Sequence, residues 1–253
     1  MNGAERRVDL NADVGEGAGA DAAIFPCISS ANIACGGHAG DERTMREAVR
    51  LALRHGVAVG AHPGYADRAG FGRVERSLSP AEVSRLVREQ VGAIQRVAAE
   101  AGARVRHVKP HGALYNQAAR DYALARAIAD AVAESGAALV LFGLAGSELL
   151  RAGVDAGLKV ASEVFADRRY QADGSLVPRS RGAEALAGSE DEAVAQALMM
   201  VREGAVRALT GERIAVRADT ICLHGDSPQA ANLAARLRRE MEDAGVRVSA
   251  SFD

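Results

Sequence analysis

The sequence predicts an α/β fold of the TIM-like (β/α) barrel class, with about seven or eight parallel strands. Strand-like and helix-like segments alternate about eight times in 253 residues, a length and rhythm typical of such barrels. No linker or repeat interrupts this rhythm, so we expect one domain over residues 1–253. A doubly wound open sheet is the alternative, and both architectures gather functional groups at the carboxyl ends of the strands.

Composition and charge narrow the class of protein. Hydrophobic residues make up 48% of the chain, enough to fill a sizeable core. A net charge of -2, with acids and bases interspersed, argues against nucleic-acid binding, which needs a basic face. The three cysteines form no CxxC pair, so we expect neither a disulfide framework nor a zinc ribbon. We find no apolar signal segment and no membrane-spanning stretch, and therefore expect a cytoplasmic protein without membrane contact.

The predicted strands are short apolar runs bounded by glycine, proline or polar residues. They lie at residues 7–11, 31–35, 57–60, 105–109, 138–142, 159–165, 220–223 and 246–250. A long polar loop follows the sixth strand. Its segment YQADGSL predicts a hairpin with Asp173 and Gly174 in the turn.

The predicted helices follow from apolar periodicity and capping signals. Apolar residues recur every three or four positions from residue 41 to residue 55. The next helix opens with SPAE, in which Ser79 caps, Pro80 suits the first helical position and Glu82 completes a capping box. Further helices are predicted at residues 120–134, 147–156, 190–203 and 229–244.

Polar and titratable side chains cluster just after the strands. In chain order they are Asn11, Asp13, Glu16, His38, Asp41, His62, Lys109, His111, Glu163, Asp167, Arg168, His224 and Asp226. A single histidine after a strand is usually a loop hydrogen-bonder, but four of the six histidines at equivalent positions predict a shared cavity. His55, at a helix end, and His107, within a strand, receive no role, and Asp41 either faces the cavity or caps the following helix.

The glycine-rich segment GEGAGA, residues 15–20, does not predict a dinucleotide site. Its spacing departs from GxGxxG, and Glu16 would repel a pyrophosphate. A first strand that carries Asp9 and Asn11 is also expected to be too polar for a buried parallel strand. No Walker A sequence is present, so ATP is not expected in a standard phosphate loop of this chain.

The residue types leave the chemistry open between two alternatives. Asp13, His38, His62 and His111 are suitable ligands for a divalent metal ion that assists hydrolysis. The same residues could act without a metal as general acids and bases. Cys35 lies inside an apolar run and is interpreted as a packing residue, whereas Lys109 at a strand end is expected to hold a carboxylate or phosphate.

Six ordered segments resemble the signature segments of the LamB/YcsF family, the A subunits of prokaryotic ATP-dependent 5-oxoprolinases. They are VDLNADVGEG, NIACGGHAGD, VAVGAHPGYADRAGFGR, VKPHGALYN, SEVFADRRYQADGSLVPRS and ICLHGDSP. The resemblance implies a barrel related to glycoside hydrolase and polysaccharide deacetylase folds. It also implies conversion of the lactam 5-oxoproline (pyroglutamate) to L-glutamate with ATP as co-substrate, together with B and C subunits; a homo-oligomer is compatible with it.

This resemblance suggests roles for the residues at the strand ends. Asp13 or Glu16 would activate water, and His38, His62 and His111 would transfer protons or hold the oxyanion. The expected substrate-binding residues are Asn11, Lys109, Arg168, His224 and Asp226. Two rival functions remain, a stand-alone metal-dependent deacetylase or hydrolase and a non-catalytic component that binds the substrate.

Overall fold

A computed structural model describes residues 6–17, 19, 21–223 and 230–250 of the chain. Its helices and strands alternate along the described part. In chain order they are β1 (Arg6–Val14), α1 (Asp21–Ile24), β2 (Ser30–Ala34), α2 (Glu42–His55), β3 (Ala58–His62), α3 (Pro80–Glu100), β4 (Val105–Val108), α4 (Gly112–Ala118), α5 (Tyr122–Ser135), β5 (Val140–Leu144), α6 (Glu148–Asp155), β6 (Lys159–Phe165), α7 (Glu190–Glu203), β7 (Ala205–Arg207), β8 (Arg213–Ala215), β9 (Thr220–Leu223), α8 (Ala230–Asp243) and β10 (Val246–Val248). Two short 3-10 turns lie at Phe25–Cys27 and Arg179–Ala185.

Seven parallel strands close into a barrel, which confirms the predicted fold class. The order is β1-β2-β3-β4-β5-β6-β9, and β9 pairs back with β1, so the sheet has no open edge within this ring. That closing pair excludes the doubly wound alternative. The last strand, β10, pairs in parallel with the first residues of β1 and extends the sheet there. Among the described residues, no helix is both long and apolar enough to cross a bilayer.

The interior of the barrel is polar, and one interpretation of the sequence was therefore wrong. Asp9 and Asn11 were expected to be too polar for a buried parallel strand, yet both are fully buried in β1. Side chains on a strand alternate between its two faces, so the apolar Val8 and Leu10 take the opposite face. The polar set is tolerated because each carboxylate and amide finds partners on other strands inside the ring.

The apolar core fills the space between the barrel and the helices. Buried aliphatic side chains of the strands, such as Ile33, Val108 and Val164, belong to one cluster with the buried stripe of α3. A second, small apolar cluster consists of Val140, Phe142 and Ala161. Because the main core lies outside the ring, the interior is left for polar side chains.

The capping predictions are confirmed where they concern α2 and α3. The Ser79 hydroxyl accepts from the backbone N–H of Glu82, whose carboxylate accepts from the backbone N–H of Ser79. Asp41 caps α2 by accepting from the backbone N–H of Thr44 at 2.8 Å, so its structural role is the correct alternative. The antiparallel hairpin of β7 and β8 was not predicted.

We predict that Gly60→Ala destabilises the barrel by about 3 kcal/mol. Gly60 pairs with His107 on the neighbouring strand, and a Cβ at Gly60 would overlap the His107 imidazole. The ring cannot move away freely, because it is buried and stacks on Phe142 with centroids 4.3 Å apart. Urea unfolding measures the change. Gly92→Ala in α3 is the matched control, since its Cβ meets only Arg96 at 3.6 Å and should be neutral or slightly stabilising. Equal stability of the two variants would contradict the prediction.

Candidate active site

A cavity of 710 Å³ opens at the carboxyl ends of the barrel strands. Its lining includes residues from the ends of β1, β3 and β4 and from the loops that follow them. They include Asp13, His62, Lys109 and His111. This volume is in the range of small-molecule binding sites, and the position agrees with the ligand sites of (β/α) barrels.

Two histidines on the cavity wall are each fixed in one ring orientation by a backbone carbonyl. Nδ1 of His62 lies 2.7 Å from the carbonyl oxygen of Lys109, and Nε2 of His111 lies 2.9 Å from that of Phe71. A carbonyl oxygen only accepts, so each of these nitrogens carries the proton. The two other nitrogens, Nε2 of His62 and Nδ1 of His111, then face each other at 3.0 Å.

Two carboxylates converge on this pair of ring nitrogens. Oε1 of Glu16 lies 3.4 Å from Nδ1 of His111, and Oδ2 of Asp13 lies 3.2 Å from Nε2 of His62. His38 completes the group, with Nε2 2.9 Å from Oε1 of Glu16 and its ring stacked on His111 at 3.6 Å. One atom from each of Glu16, His38, His62 and His111 lies within 4.8 Å of the others, so the group could hold a metal ion.

The three imidazoles differ in their readiness to take a proton. Burial lowers the pKa of His38 and lowers that of His111 well below its usual range, so both rings are neutral near pH 7. Burial also opposes a charge on His62, but the adjacent Asp13 carboxylate outweighs it and raises the pKa of His62. The cluster therefore combines two neutral bases with one imidazole that its carboxylate neighbour helps to protonate.

Lys109 is buried beneath the cluster and is already paired. Its Nζ lies 3.0 Å from Oδ1 of Asp13, 3.0 Å from Oε1 of Glu163 and 2.9 Å from Sγ of Cys222. Burial disfavours the ammonium, but these three groups outweigh it and raise the pKa of Lys109 well above its usual value. The charge of Lys109 thus balances two buried carboxylates, which leaves little of it for a ligand.

Asn11 lies deeper, where it links the barrel strands to each other. Its Nδ2 donates to Glu163 at 2.9 Å and to Thr220 at 2.7 Å, and its Oδ1 accepts from Asn32 at 2.7 Å. The residues that line the cavity do not include Asn11. Through its hydrogen bond to Glu163, Asn11 helps to fix the position of that buried carboxylate.

Asp9 at the bottom of this network carries a pH-dependent stability. Its carboxylate accepts from the hydroxyls of Ser29, Ser30 and Thr220, yet burial outweighs these bonds and raises the pKa of Asp9 from 3.8 to about 6. A raised carboxyl pKa means that the folded state binds the proton more tightly. Protonated Asp9 therefore stabilises the folded state at low pH. This contribution, about 3 kcal/mol, is lost as the pH rises from about 4 to 6.

We predict that Asp9→Asn removes this slope. Relative to the parent protein, the variant should gain unfolding free energy as the pH rises from about 4 to about 7. Urea unfolding at several pH values measures the difference between the two proteins. Parallel curves across that range would contradict the assignment of the proton to Asp9.

Arg168 and Arg179 also line the cavity, and the part of the lining that they form is called the arginine wall. The buried Arg168 guanidinium donates to the carbonyl oxygens of Val177 at 2.6 Å and Ala185 at 3.1 Å. Among the described residues, no carboxylate forms an ion pair with Arg168 or with Arg179. Burial and the charge of Arg179 lower the pKa of Arg168 to about 10, so it remains a cation near pH 7. This wall is therefore suited to an anionic group of a ligand.

The family model described as LamB/YcsF family matches residues 8–252. The chain belongs to the LamB/YcsF family. A protein of Geobacillus kaustophilus (strain HTA426), described as the A subunit of 5-oxoprolinase, is 52% identical over 249 residues, 97% of each chain. A protein of the same description from Neisseria meningitidis serogroup C (strain 053442) is 52% identical over 245 residues, 97% of this chain and 100% of the relative.

Solved structures agree with the family assignment. The lactam utilization protein of Thermus thermophilus is 48% identical, with a TM-score of 0.89 over 96% of this chain and 99% of that one. A deacetylase described as T48 is 14% identical with a TM-score of 0.51, over 98% of this chain and 89% of that one, and supports the barrel fold alone. The likeness to a deacetylase barrel thus agrees with the expectation for LamB/YcsF proteins.

The structure brings together five residues that the sequence predicted to be catalytic: Asp13, Glu16, His38, His62 and His111. Of these five, Asp13, His62 and His111 line the cavity together with Lys109 and Arg168, whereas Glu16 and His38 lie behind them and are not part of its lining. His224 and Asp226 lie outside the described residues. The hairpin predicted in YQADGSL is present, with Tyr170 bridged to Leu176, and its turn lines the same cavity.

Cys35 is a packing residue, as its position in an apolar run predicted. It is buried, and burial raises the pKa of its thiol to about 12, which disfavours the nucleophilic thiolate. Its Sγ accepts from the backbone N–H of His62 at 3.3 Å. Cys35 therefore helps to place β3 and its histidine.

Two site residues carried no signal that sequence reasoning used. Tyr115 in α4 lines the cavity beside Glu163. Burial and that carboxylate raise the pKa of Tyr115 well above its usual value, so its hydroxyl stays protonated. Phe71 adopts a left-handed backbone conformation (φ 52), which is rare for a side chain of this size. The carbonyl oxygen of Phe71 orients His111, and the left-handed backbone conformation places it there. The position of Phe71 between two glycines, in AGFGR, was the signal that the sequence offered for this conformation.

Proposed function

We propose that this chain opens the lactam ring of 5-oxoproline to give L-glutamate, as the A subunit of an ATP-dependent 5-oxoprolinase. The observation that carries the proposal is the carboxylate and histidine cluster at a 710 Å³ cavity that is also lined by Arg168 and Arg179, which have no carboxylate partner among the described residues. Hydrolysis needs a base for water and a donor for the leaving nitrogen, and the ligand is itself an anion. The LamB/YcsF relatives described as A subunits of 5-oxoprolinase support the choice of substrate.

The chemistry of the substrate explains why ATP takes part. A five-membered lactam is stabilised by amide resonance, so its hydrolysis gains little driving force. Phosphorylation of the amide oxygen by ATP would activate the ring carbon for attack by water. Cleavage of the C–N bond, with a proton taken up by the nitrogen, would then give an acyl phosphate, which a second water hydrolyses to glutamate and phosphate. Because this chain has no standard phosphate loop, the proposal assigns nucleotide binding to the complex and a share of the activation to the B and C subunits. The reaction is placed in the cytoplasm, where ATP is available.

The geometry divides the roles within the cluster. Asp13 and Glu16 are the bases for water, since their oxygens face the interior of the cluster beside the histidines. His62, whose pKa is raised by Asp13, is suited to hold the developing oxyanion or to protonate the leaving nitrogen. Neutral His111 accepts and returns a proton at Nδ1. Lys109 supports this arrangement by fixing Asp13.

The carboxylate of 5-oxoproline, or a phosphate formed during activation, would bind at the arginine wall. Arg168 is anchored by two backbone carbonyls, which orient its guanidinium without neutralising it. Arg179 lines the same wall. In this respect the proposal keeps the predicted anion-binding role of Arg168, adds Arg179 and drops Lys109, because Lys109 already pairs with two carboxylates.

A reconstituted assay tests the proposed function. Glutamate release from 5-oxoproline is measured with ATP and the B and C subunits, with and without this chain. Release that requires all components supports the proposal. Release by B and C alone would make this chain a non-catalytic component, and ATP-independent deacetylation or hydrolysis by this chain alone would favour the stand-alone enzyme suggested by the deacetylase-like fold.

We predict that Arg179→Gln raises the KM for 5-oxoproline about tenfold, since a charge-assisted hydrogen bond to the substrate is lost. Arg181→Gln is the matched control, because Arg181 lies on the same 3-10 turn but pairs with Glu184 at 2.7 Å. Steady-state kinetics of the reconstituted complex compare the two variants. Equal KM values would contradict the assignment of the anion to this wall.

A further inference from the structure

The facing nitrogens of His62 and His111 need a cation between them. Both rings donate their other N–H to a backbone carbonyl, so neutral rings point two lone pairs at each other across 3.0 Å. Two acceptors at this distance repel unless a proton or a metal ion lies on them. This geometry therefore favours a positively charged group, either a proton or a metal ion, between the two nitrogens.

The net charge of the neighbouring side chains distinguishes between a proton and a metal ion at this position. Two carboxylates with little solvent exposure, Asp13 and Glu16, contact the pair. The ammonium of Lys109 links Asp13 to a third buried carboxylate, Glu163, so this connected group contains three carboxylates and one ammonium. Two negative charges are therefore in excess when the histidines are neutral. Excess charge in a buried site is unfavourable. A divalent ion balances it, whereas a single proton leaves half of it uncompensated.

The ring planes decide which histidines are ligands. His38 and His111 stack with an interplanar angle of 3° and centroids 3.6 Å apart, so their in-plane lone pairs cannot both point at one ion. Nε2 of His38 instead contacts Glu16 at 2.9 Å and orients that carboxylate. His62 is perpendicular to His111, at 88°, which lets both rings direct a nitrogen to the same point.

The separations between the ligand atoms fit a transition metal. The three pairs among His62 Nε2, His111 Nδ1 and Glu16 Oε1 are 3.0, 3.4 and 3.9 Å apart. Ligands about 2.0–2.1 Å from a tetrahedral ion lie about 3.3 Å from each other. Two imidazoles with one carboxylate favour zinc or a related first-row ion over Mg²⁺, which prefers oxygen ligands.

We propose that His62, His111 and Glu16 bind one divalent transition-metal ion, with Asp13 adjacent and His38 as a positioning residue. The inference deepens the proposed function and rests on it for the role of the ion, which when bound would acidify water or polarise the lactam carbonyl. With the ion bound, His62, His111 and Glu16 would act as its ligands instead of transferring protons, and Asp13 would remain the base for water. The backbone carbonyls of Lys109 and Phe71 are the outer partners that fix the two imidazoles.

Metal binding by the isolated chain tests the inference without any activity measurement. The protein is stripped with a chelator, and Zn²⁺ and Mg²⁺ are titrated separately by calorimetry, with metal content measured after gel filtration. We expect one Zn²⁺ per chain and at least about 100-fold weaker binding of Mg²⁺. Absence of Zn²⁺ binding, or equal affinity for the two ions, would overturn the inference.

Variants locate the ion. His62→Ala and Glu16→Gln should each weaken Zn²⁺ binding by about 100-fold or more, and His38→Ala by about tenfold, as for a residue that orients a ligand. His55→Ala, on the last turn of α2, is the control and should bind like the parent chain. Circular dichroism verifies folding, and Glu16→Gln preserves side-chain shape. Unchanged binding in His62→Ala and Glu16→Gln would place the ion elsewhere and refute the assignment.

The outcome is separable from that of the proposed function. A chain that binds Zn²⁺ at this site but is dispensable for glutamate release retains the metal inference and refutes the proposed function. If the complex releases glutamate with a chain that cannot bind Zn²⁺, the proposed function is retained and the metal inference is refuted.

Discussion

His111→Ala should lower glutamate release by the reconstituted complex by a factor on the order of 10² to 10⁴. Nδ1 of His111 is the acceptor that faces His62 and Glu16, and no other imidazole of the described residues can replace it there. His38 stacks on His111 and already contacts Glu16 through Nε2, so it cannot take over this position without a rotation of its ring. The rate at saturating 5-oxoproline is the relevant measurement, because the loss concerns the chemical step rather than substrate binding.

Two controls separate this loss from misfolding. The circular dichroism spectrum of His111→Ala should match that of the parent chain, since the ring lines the cavity. His55→Ala should retain full activity, because His55 ends α2 before Gly56 and lies away from the cavity lining. Full activity in His111→Ala would remove the proposed role of the cluster.

The site was predictable from sequence because of one geometric property of parallel barrels. All strands of the ring run in the same direction, so residues after their carboxyl ends meet although they are far apart in the chain. Asp13, His62 and His111 come from three such ends and meet in one cluster. The pattern placed them together without any knowledge of side-chain orientation.

The polar barrel interior could not be predicted in the same way. A strand with Asp9 and Asn11 looks exposed by its composition, because burial of polar groups is favourable only when partners exist. Those partners, among them Thr220 and Glu163, lie more than 150 positions away and reach β1 only after the ring has closed. Long-range hydrogen bonding thus overrode the local preference.

Loop contributions to the site were missed for a related reason. The carbonyl of Phe71 orients His111 through a backbone conformation that sequence patterns barely specify. The role of Lys109 likewise depends on how many carboxylates surround it, which only the closed ring determines. The residue types predicted which positions carry charged side chains. The hydrogen-bond and ion-pair partners of those side chains could be identified only from the structure.

Lys109→Met should destabilise the folded chain by about 3–5 kcal/mol, the largest stability effect that we expect for a single substitution near the site. Methionine fills much of the same volume but leaves Asp13 and Glu163 buried without their ammonium partner. The folded-state pKa of Lys109 is raised well above 10.5, so its contribution is fully present at neutral pH and is lost only as the pH rises through that folded value. Urea unfolding at pH 7 therefore measures the whole effect.

A double-mutant cycle shows whether the loss comes from the unpaired charges. Glu163→Gln removes one of the two carboxylates, so the double variant Lys109→Met with Glu163→Gln should recover part of the stability that Lys109→Met loses. Additive losses would mean that the two side chains do not interact energetically despite the 3.0 Å between Nζ and Oε1. A loss below about 1 kcal/mol for Lys109→Met alone would show that water or a bound cation already compensates these carboxylates.

Repeating the cycle with Zn²⁺ present tests this directly, because an ion held by His62, His111 and Glu16 lies next to Asp13 and should reduce the stability that Lys109→Met loses.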